Sequence, residues 1–261
     1  MISIIMPTFN SEKYLDKTIQ SILNQDNTDW ELLICDSSST DDTLRIIDKY
    51  KKNDKRIKIV SDNDIGVSDA LNKGFPRSNG AILTWMNSDD IYFDTTVLSE
   101  VKKNLLYNDG SYLVGDFHNI DEKNNIIRSF ISNIPSKKID KFFNYNQIFT
   151  GSLFFKKKCF DDFGKFNLKY KFAFEYQILV FLLKNYKGLH INKFLSCFRI
   201  RPNQLSSNKI ELKNELENIL KNENLKFLNS KFLRLIDYYK HGSLLRFIKY
   251  FIINSLRIDK F

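Results

Sequence analysis

The sequence predicts an α/β protein, with a sheet covered on its faces by helices. Apolar runs of strand length alternate with segments of helical period through the first 90 residues, the pattern of a parallel sheet with crossover helices. Three of those runs stop in turn at acidic residues, Asp36, Asp62 and Asp89. Polar groups gathered at the carboxyl ends of parallel strands form the ligand crevice of open α/β sheets. After about residue 205 the texture changes to long polar helical stretches rich in Asn, Lys and Glu.

The elements follow in order. Residues 2–6 are an apolar run stopped by Pro7, the first strand. Asn10 or Ser11 is placed to cap a helix whose apolar positions are Leu15, Ile19, Ile22 and Leu23. Residues 30–35 form the second strand, ending at Asp36; Ser39 with Asp42 reads as a capping box for a helix marked by Leu44, Ile47 and Tyr50. Residues 57–60 are the third strand, and residues 65–74 a short helix closed by Gly74 as a left-handed cap. Residues 81–86 are a fourth, doubly buried strand, followed by a helix from Asp94 or Thr95 to Leu106. Residues 112–117 and 125–131 read as antiparallel strands, 148–155 and 191–200 as further strands, and 172–183 as an apolar helix with one acid, Glu175.

Composition bounds the function. The 261 residues suit one large domain, or one domain with an appendage, and 43% hydrophobic content supports a full core. Cys35, Cys159 and Cys197 are odd in number and far apart, so they are expected as small core residues in a reducing cytosol. The N-terminus lacks the basic and apolar regions of a signal peptide, and no apolar run reaches bilayer-spanning length. The expected location is the cytoplasm, at or near the inner face of the plasma membrane. The net charge of +9 is dispersed among acids before residue 205, without the basic and aromatic clustering of a nucleic-acid binder. His118, His190 and His241 sit in strand or helix patterns and are not expected to be catalytic.

The stretch Asn87-Ser88-Asp89-Asp90 carries the most chemistry. Two adjacent acids at a strand end do not both ionise readily without positive charge beside them. A divalent cation bridging to phosphate is one solution; capping of the next helix is the other reading of the same residues.

Taken together, "IIMPTFNSEKYLDKTIQSIL", "ELLICDSSSTDDT", "SDNDIGVSDALNKG" and "NGAILTWMNSDD" resemble the inverting nucleotide-sugar glycosyltransferases of family 2, with the GT-A fold. The likeness covers about residues 1–205, with a nucleotide part to about 95 and an acceptor part from there, and leaves 206–261 as a helical extension. It implies a Rossmann-like mixed central sheet flanked by helices. It implies nucleotide contacts from Pro7, Thr8, Asn10, Asp36, Asp69, Lys73, Asn87 and Ser88, and a Mn2+ or Mg2+ ion held by Asp89 with Asp90 as helper. It places the general base at Glu175. Relatives often carry a second acid where Gln177 stands and a His where Arg201 stands; Arg201 is then a candidate for holding the diphosphate.

The expected function is transfer of a hexosyl or N-acetylhexosaminyl group, with inversion, from a UDP-sugar or other nucleotide-diphosphate sugar to a hydroxyl of a glycan or lipid-linked acceptor in bacterial surface polysaccharide biosynthesis. The alternative is a membrane-surface or interaction module that kept the fold and lost turnover. Nucleotidyl transfer is disfavoured because residues 7–13 contain no glycine for a phosphate loop. Residues 243–258 form an amphipathic pattern with Arg246, Lys249, Asn254 and Arg257 on its narrow polar face, suited to an anionic membrane surface or to packing on protein, including a second subunit.

Overall fold

The computed structural model describes residues 1–60, 63–132, 134, 141–143, 148–202 and 204–228, with the backbone alone for 141–143 and 226–228. Asp62, His241 and the amphipathic stretch 243–258 lie outside the described residues.

The chain opens with β1 (Ile2–Thr8), α1 (Leu15–Leu23), β2 (Trp30–Asp36), α2 (Thr43–Asn53), β3 (Ile57–Ile59), α3 (Val67–Gly74) and β4 (Ile82–Trp85). These four strands run parallel in the order β3-β2-β1-β4. Next come β5 (Ile91–Tyr92), α4 (Val97–Tyr107), β6 (Tyr112–Ile120), β7 (Ile126–Phe130), β8 (Lys141–Phe143), β9 (Leu153–Lys156) and α5 (Lys157–Phe163). The described chain closes with α6 (Glu175–Asn185), β10 (Gly188–Arg199), α7 (Lys209–Asn222) and β11 (Lys226–Leu228). Strand β9 enters antiparallel between β4 and β6, β10 lies parallel to β6, and β5 and β7 pair antiparallel with β10 and β6. Among the described residues this makes one mixed nine-stranded sheet and a separate β8–β11 pair.

Side-chain alternation along the strands divides the core between the two faces. Ile2, Ile4 and Met6 of β1 join Leu15, Ile19 and Ile22 of α1 and Val97 and Val101 of α4 on one face. Ile5, Leu33, Cys35, Leu83 and Trp85 meet α3, α6 and α7 on the other. Burial on both faces is why these strands read as continuous apolar runs. All three cysteines are free and buried.

The structure corrects several local expectations. Strand β1 does not stop at Pro7. Its pairing with β4 ends at Ile5–Trp85, while its pairing with β2 continues to Thr8–Asp36. Pro7 therefore lies where β1 has a neighbour on one side only, the edge-like setting in which a missing N–H is tolerated. Gly74 is not a left-handed cap. It has φ −74° and leads into the 3-10 turn Phe75–Arg77. Its small size is what matters: a Cβ there would lie 2.4 Å from Ile5 Cγ2 and 3.0 Å from Cys35 Sγ, so glycine lets α3 close onto the sheet. Neither Asn10 nor Ser11 is the cap of α1, and Ser39 does not cap α2; the residues preceding those helices are Tyr14 and Asp42. Helix α7 contributes Leu216, Ile219 and Leu220 to the cluster that also holds residues of α6. Among the described residues no helix is long and apolar enough to cross a membrane.

Candidate active site

The strand registers gather the polar residues at one edge. Strand β9 is antiparallel to β4, with Leu83 opposite Phe155, so the Thr150–Ser152 turn that precedes β9 lies at the carboxyl end of β4. Strand β10 runs parallel to β6, and both point their carboxyl ends the same way as β4. The turns after β1, β2 and β4, the start of α6 beside Thr150, and the end of β10 thus share one edge.

The loops after β1 and β2 are tied into a single unit. The Ser37 N–H donates to the Thr8 carbonyl at 2.9 Å, the Asn10 N–H to Ser39 Oγ at 2.9 Å, and the Thr40 N–H to Asn10 Oδ1 at 2.9 Å. Asn10 adopts φ 44°, a left-handed conformation that Asn tolerates better than most side chains. Asp36 is buried, and its two oxygens accept from Ser39 N–H at 2.9 Å and Ser39 Oγ at 2.6 Å. Ser39, read from sequence as a helix cap, is therefore a clamp on Asp36. Ser11 Oγ and Ser88 Oγ lie 2.7 Å apart, joining this unit to the turn after β4. Asp69 and Lys73 pair with each other at 3.1 Å, and they also bind the Ile65 N–H and the Asn63 carbonyl.

The two acids after β4 part company. Asp90 is fully buried; its oxygens accept from the Arg199 N–H at 2.9 Å and from Asn87 Nδ2 at 2.8 Å. Burial, and next the charge of Asp89, push its pKa up, with those hydrogen bonds opposing. Asp90 thereby holds the turn, with both of its oxygens engaged. Asp89 is partly exposed and pairs through Oδ2 with Arg201 Nε at 2.5 Å. Arg199, missed by the sequence reading, is fully buried. It donates from Nε to the Asp89 carbonyl at 2.8 Å and from Nη1 to the Asp121 carbonyl at 2.9 Å, and it stacks over Tyr14. The available signal was Arg199 and Arg201 at strand spacing, two cations on one side of a strand end.

Glu175 is the first residue of α6 and is largely withdrawn from solvent. Burial pushes its pKa up to about 7, with the neighbouring Thr150 hydroxyl pulling the other way. The turn that leads into Glu175 is held by α7: Glu215 accepts from the N–H groups of Lys171, Phe172 and Ala173 at 3.0, 2.8 and 2.8 Å. Nothing in the sequence pattern of a polar, Lys/Glu-rich helix marked Glu215 for this. Gln177 accepts the Asn167 N–H at 2.7 Å and so serves the preceding loop. His118 bonds Ser129 and stacks on Phe194, while His190 bonds Asp116 at 2.9 Å.

For a divalent ion the donor set is sparse. Among the described residues no three His, Cys, Asp or Glu side chains converge, and Asp89 is the partly exposed acid of its pair. One carboxylate suffices for a magnesium-type site only where phosphates and water complete the shell.

A mixed sheet whose parallel half ends in tied loops, with an acid pair after β4 and Glu175 at the start of α6, is of the GT-A class. The model of glycosyl transferase family 2 matches residues 3–175, and the chain belongs to that family. It is 27% identical over 222 residues to the UDP-Glc:alpha-D-GlcNAc-diphosphoundecaprenol beta-1,3-glucosyltransferase WfgD of Escherichia coli, covering 82% of this chain and 83% of that one. It is 34% identical over 130 residues to the chondroitin synthase of Escherichia coli, covering 49% of this chain but spanning only 18% of that relative. S. aureus TarS 1-349 in complex with UDP-GlcNAc superposes with a TM-score of 0.62 at 18% identity, over 84% of this chain and 64% of that one. The mannosyltransferase PcManGT from Pyrobaculum calidifontis, in complex with GDP-Man and Mn2+, gives 0.63 at 15% identity, over 85% and 63%. At these identities the structural likeness is one of fold.

Proposed function

We propose that the chain transfers a hexosyl or N-acetylhexosaminyl group, with inversion, from a UDP-sugar to a hydroxyl of a lipid-linked or glycan acceptor in bacterial surface polysaccharide assembly. The observation that carries the reading is Glu175, with its pKa pushed up to about 7, on the same sheet edge as Asp89 in a family 2 chain. A carboxylate with that pKa is matched to general-base work near neutral pH. The relatives' own acceptors and donors, a diphosphoundecaprenol-linked sugar for WfgD and UDP-GlcNAc in the TarS complex, support the substrate class.

In this reading the tied loops after β1 and β2 receive the nucleotide, with Pro7, Thr8 and Asn10 along it and Asp36 fixing the loop at its base end. Asn87 and Ser88 line the turn toward the ribose, and Asp69 and Lys73 flank it from α3. Glu175 removes the proton from the acceptor hydroxyl as its oxygen bonds to the anomeric carbon. The bond from that carbon to the diphosphate breaks on the opposite face, and the nucleoside diphosphate leaves; attack opposite the leaving group is what inverts the centre. Where a divalent ion, Mn2+ or Mg2+, takes part, Asp89 is the carboxylate that would hold it, shared with Arg201, and the ion would add to the positive charge beside the leaving diphosphate. Glu215 keeps the base in place by fixing the turn in front of it. Gln177, engaged with Asn167, costs the site no proton acceptor that this scheme uses. The stretch 243–258 is proposed to rest on the anionic membrane surface where a lipid-linked acceptor resides.

The test is a donor screen on the full chain: UDP-sugars with lipid-linked acceptors, read by product mass. The expected result is a product heavier by one glycosyl unit, absent with Glu175→Gln. Donor binding without any product or sugar-nucleotide hydrolysis would leave the non-catalytic alternative standing instead.

A further inference from the structure

We propose that Arg201 is the resident cation of the diphosphate subsite, so that this chain binds its nucleotide diphosphate with little help from a divalent ion. The inference rests on the nucleotide-sugar reading above and concerns how the same site meets the charge of its donor.

Three observations carry it. Asp89 is the partly exposed acid of its pair, whereas Asp90 is fully buried with both oxygens engaged by Arg199 and Asn87. The Asp89 carboxylate is already paired, through Oδ2, with Arg201 Nε at 2.5 Å. A guanidinium cannot ligate a metal, so a divalent ion at Asp89 would have Oδ1 alone, against the repulsion of the guanidinium at Oδ2, unless it displaced Arg201. Arg201 is also mounted to stay. Its N–H donates to Gln204 Oε1 at 2.9 Å, and it lies two residues beyond Arg199, which is locked to the Asp89–Asp90 turn and to the β6–β7 turn.

The side chain is nonetheless 39% exposed, and among the described residues its hydrogen bonding is confined to Nε and the backbone. The two terminal nitrogens of the planar fork remain for an incoming ligand. That geometry suits paired phosphate oxygens, and a guanidinium sheds water more readily than a small divalent ion does. In the free protein Arg201 neutralises Asp89. With nucleotide bound, it bridges Asp89 and the diphosphate and supplies the positive charge that the leaving group requires.

The experiment is calorimetry of UDP binding to the full chain, in EDTA and in Mn2+, for wild type, Arg201→Ala and Arg201→Lys. Wild type should bind in EDTA within about threefold of its affinity in Mn2+. Arg201→Ala should lose roughly 10- to 100-fold in EDTA, the scale of a lost charge-assisted contact, and recover most of it in Mn2+. Arg201→Lys should fall between, keeping the charge but not the fork. A second measurement uses Mn2+ alone, followed by electron paramagnetic resonance. Arg201→Ala, with Asp89 released, should take up Mn2+ more tightly than wild type. Wild type that binds UDP only with Mn2+, or Mn2+ uptake unchanged by Arg201→Ala, overturns the proposal and leaves the nucleotide-sugar reading intact. Absence of binding by any nucleoside diphosphate in either condition would bring down both.

Discussion

Two glutamates at opposite ends of the sheet, Glu31 buried and Glu175 partly exposed, show how one side chain is put to two uses. Glu31 lies near the start of β2, at the amino edge. It accepts from Ser3 Oγ at 2.7 Å, the Asn79 N–H at 2.7 Å, Asn79 Nδ2 at 3.2 Å and Lys58 Nζ at 2.9 Å. Burial works to raise its pKa, but those bonds together outweigh it and bring the value to about 2. Glu175, at the carboxyl edge, is desolvated with, among the described residues, the Thr150 hydroxyl to oppose it, and its value goes up to about 7. Desolvation is common to both; what differs is how many donors the fold aims at the carboxylate. A saturated carboxylate holds structure together, and an undersupplied one retains its capacity to take a proton.

The largest effect that would break this contrast is on turnover. Glu175→Gln is nearly isosteric but accepts no proton, so steady-state rates should fall by about 10²–10⁴ while UDP binding is unchanged. Next in size is stability at the other edge. With its pKa lowered from an ordinary 4.5 to about 2, ionised Glu31 contributes stability above pH 4.5 that is lost as pH falls through about 2. Glu31→Gln should therefore cost roughly 3 kcal/mol in urea unfolding at neutral pH, with the difference shrinking in acid. The raised value of Glu175 has the opposite sign: its contribution is present below pH 4.5 and lost as pH rises through about 7. Glu175→Gln should then be more stable than wild type at pH 8, by roughly 1–3 kcal/mol. Smaller again is Glu215→Ala, which releases the three N–H groups ahead of α6. It should lower kcat about tenfold with donor affinity kept, and Glu215→Gln should restore part of the rate.

The contrast also marks where the sequence was legible. The parallel half of the fold was, because strands buried on both faces read as unbroken apolar runs between helices of clear period. The order of the later strands was not: β9 entering between β4 and β6 is a pairing of residues some 70 positions apart, and nothing local encodes it. Asp89 and Glu175 stand out as acids beside apolar runs. Their partners do not. Arg201 looks like any basic loop residue until β10 brings it to Asp89, and Glu215 looks like any acid on a solvated helix until α7 docks. Ser39 misled for a related reason: the spacing of a helix cap is also the spacing that lets it clamp Asp36. Residue type and spacing show which groups are available; tertiary contacts decide which of them are left undersupplied.

The most direct test of the account is a side-chain carboxyl NMR titration that follows Glu175 and Glu31 in the same nucleotide-free sample, each assigned by its Gln variant. The account predicts that Glu175 titrates near pH 7, and that Glu31 stays ionised until about pH 2 or until the protein unfolds. Glu175 titrating at its ordinary value of about 4.5 would contradict the account. Burial would then not have tuned it, and the assignment of the general base would lose its physical ground.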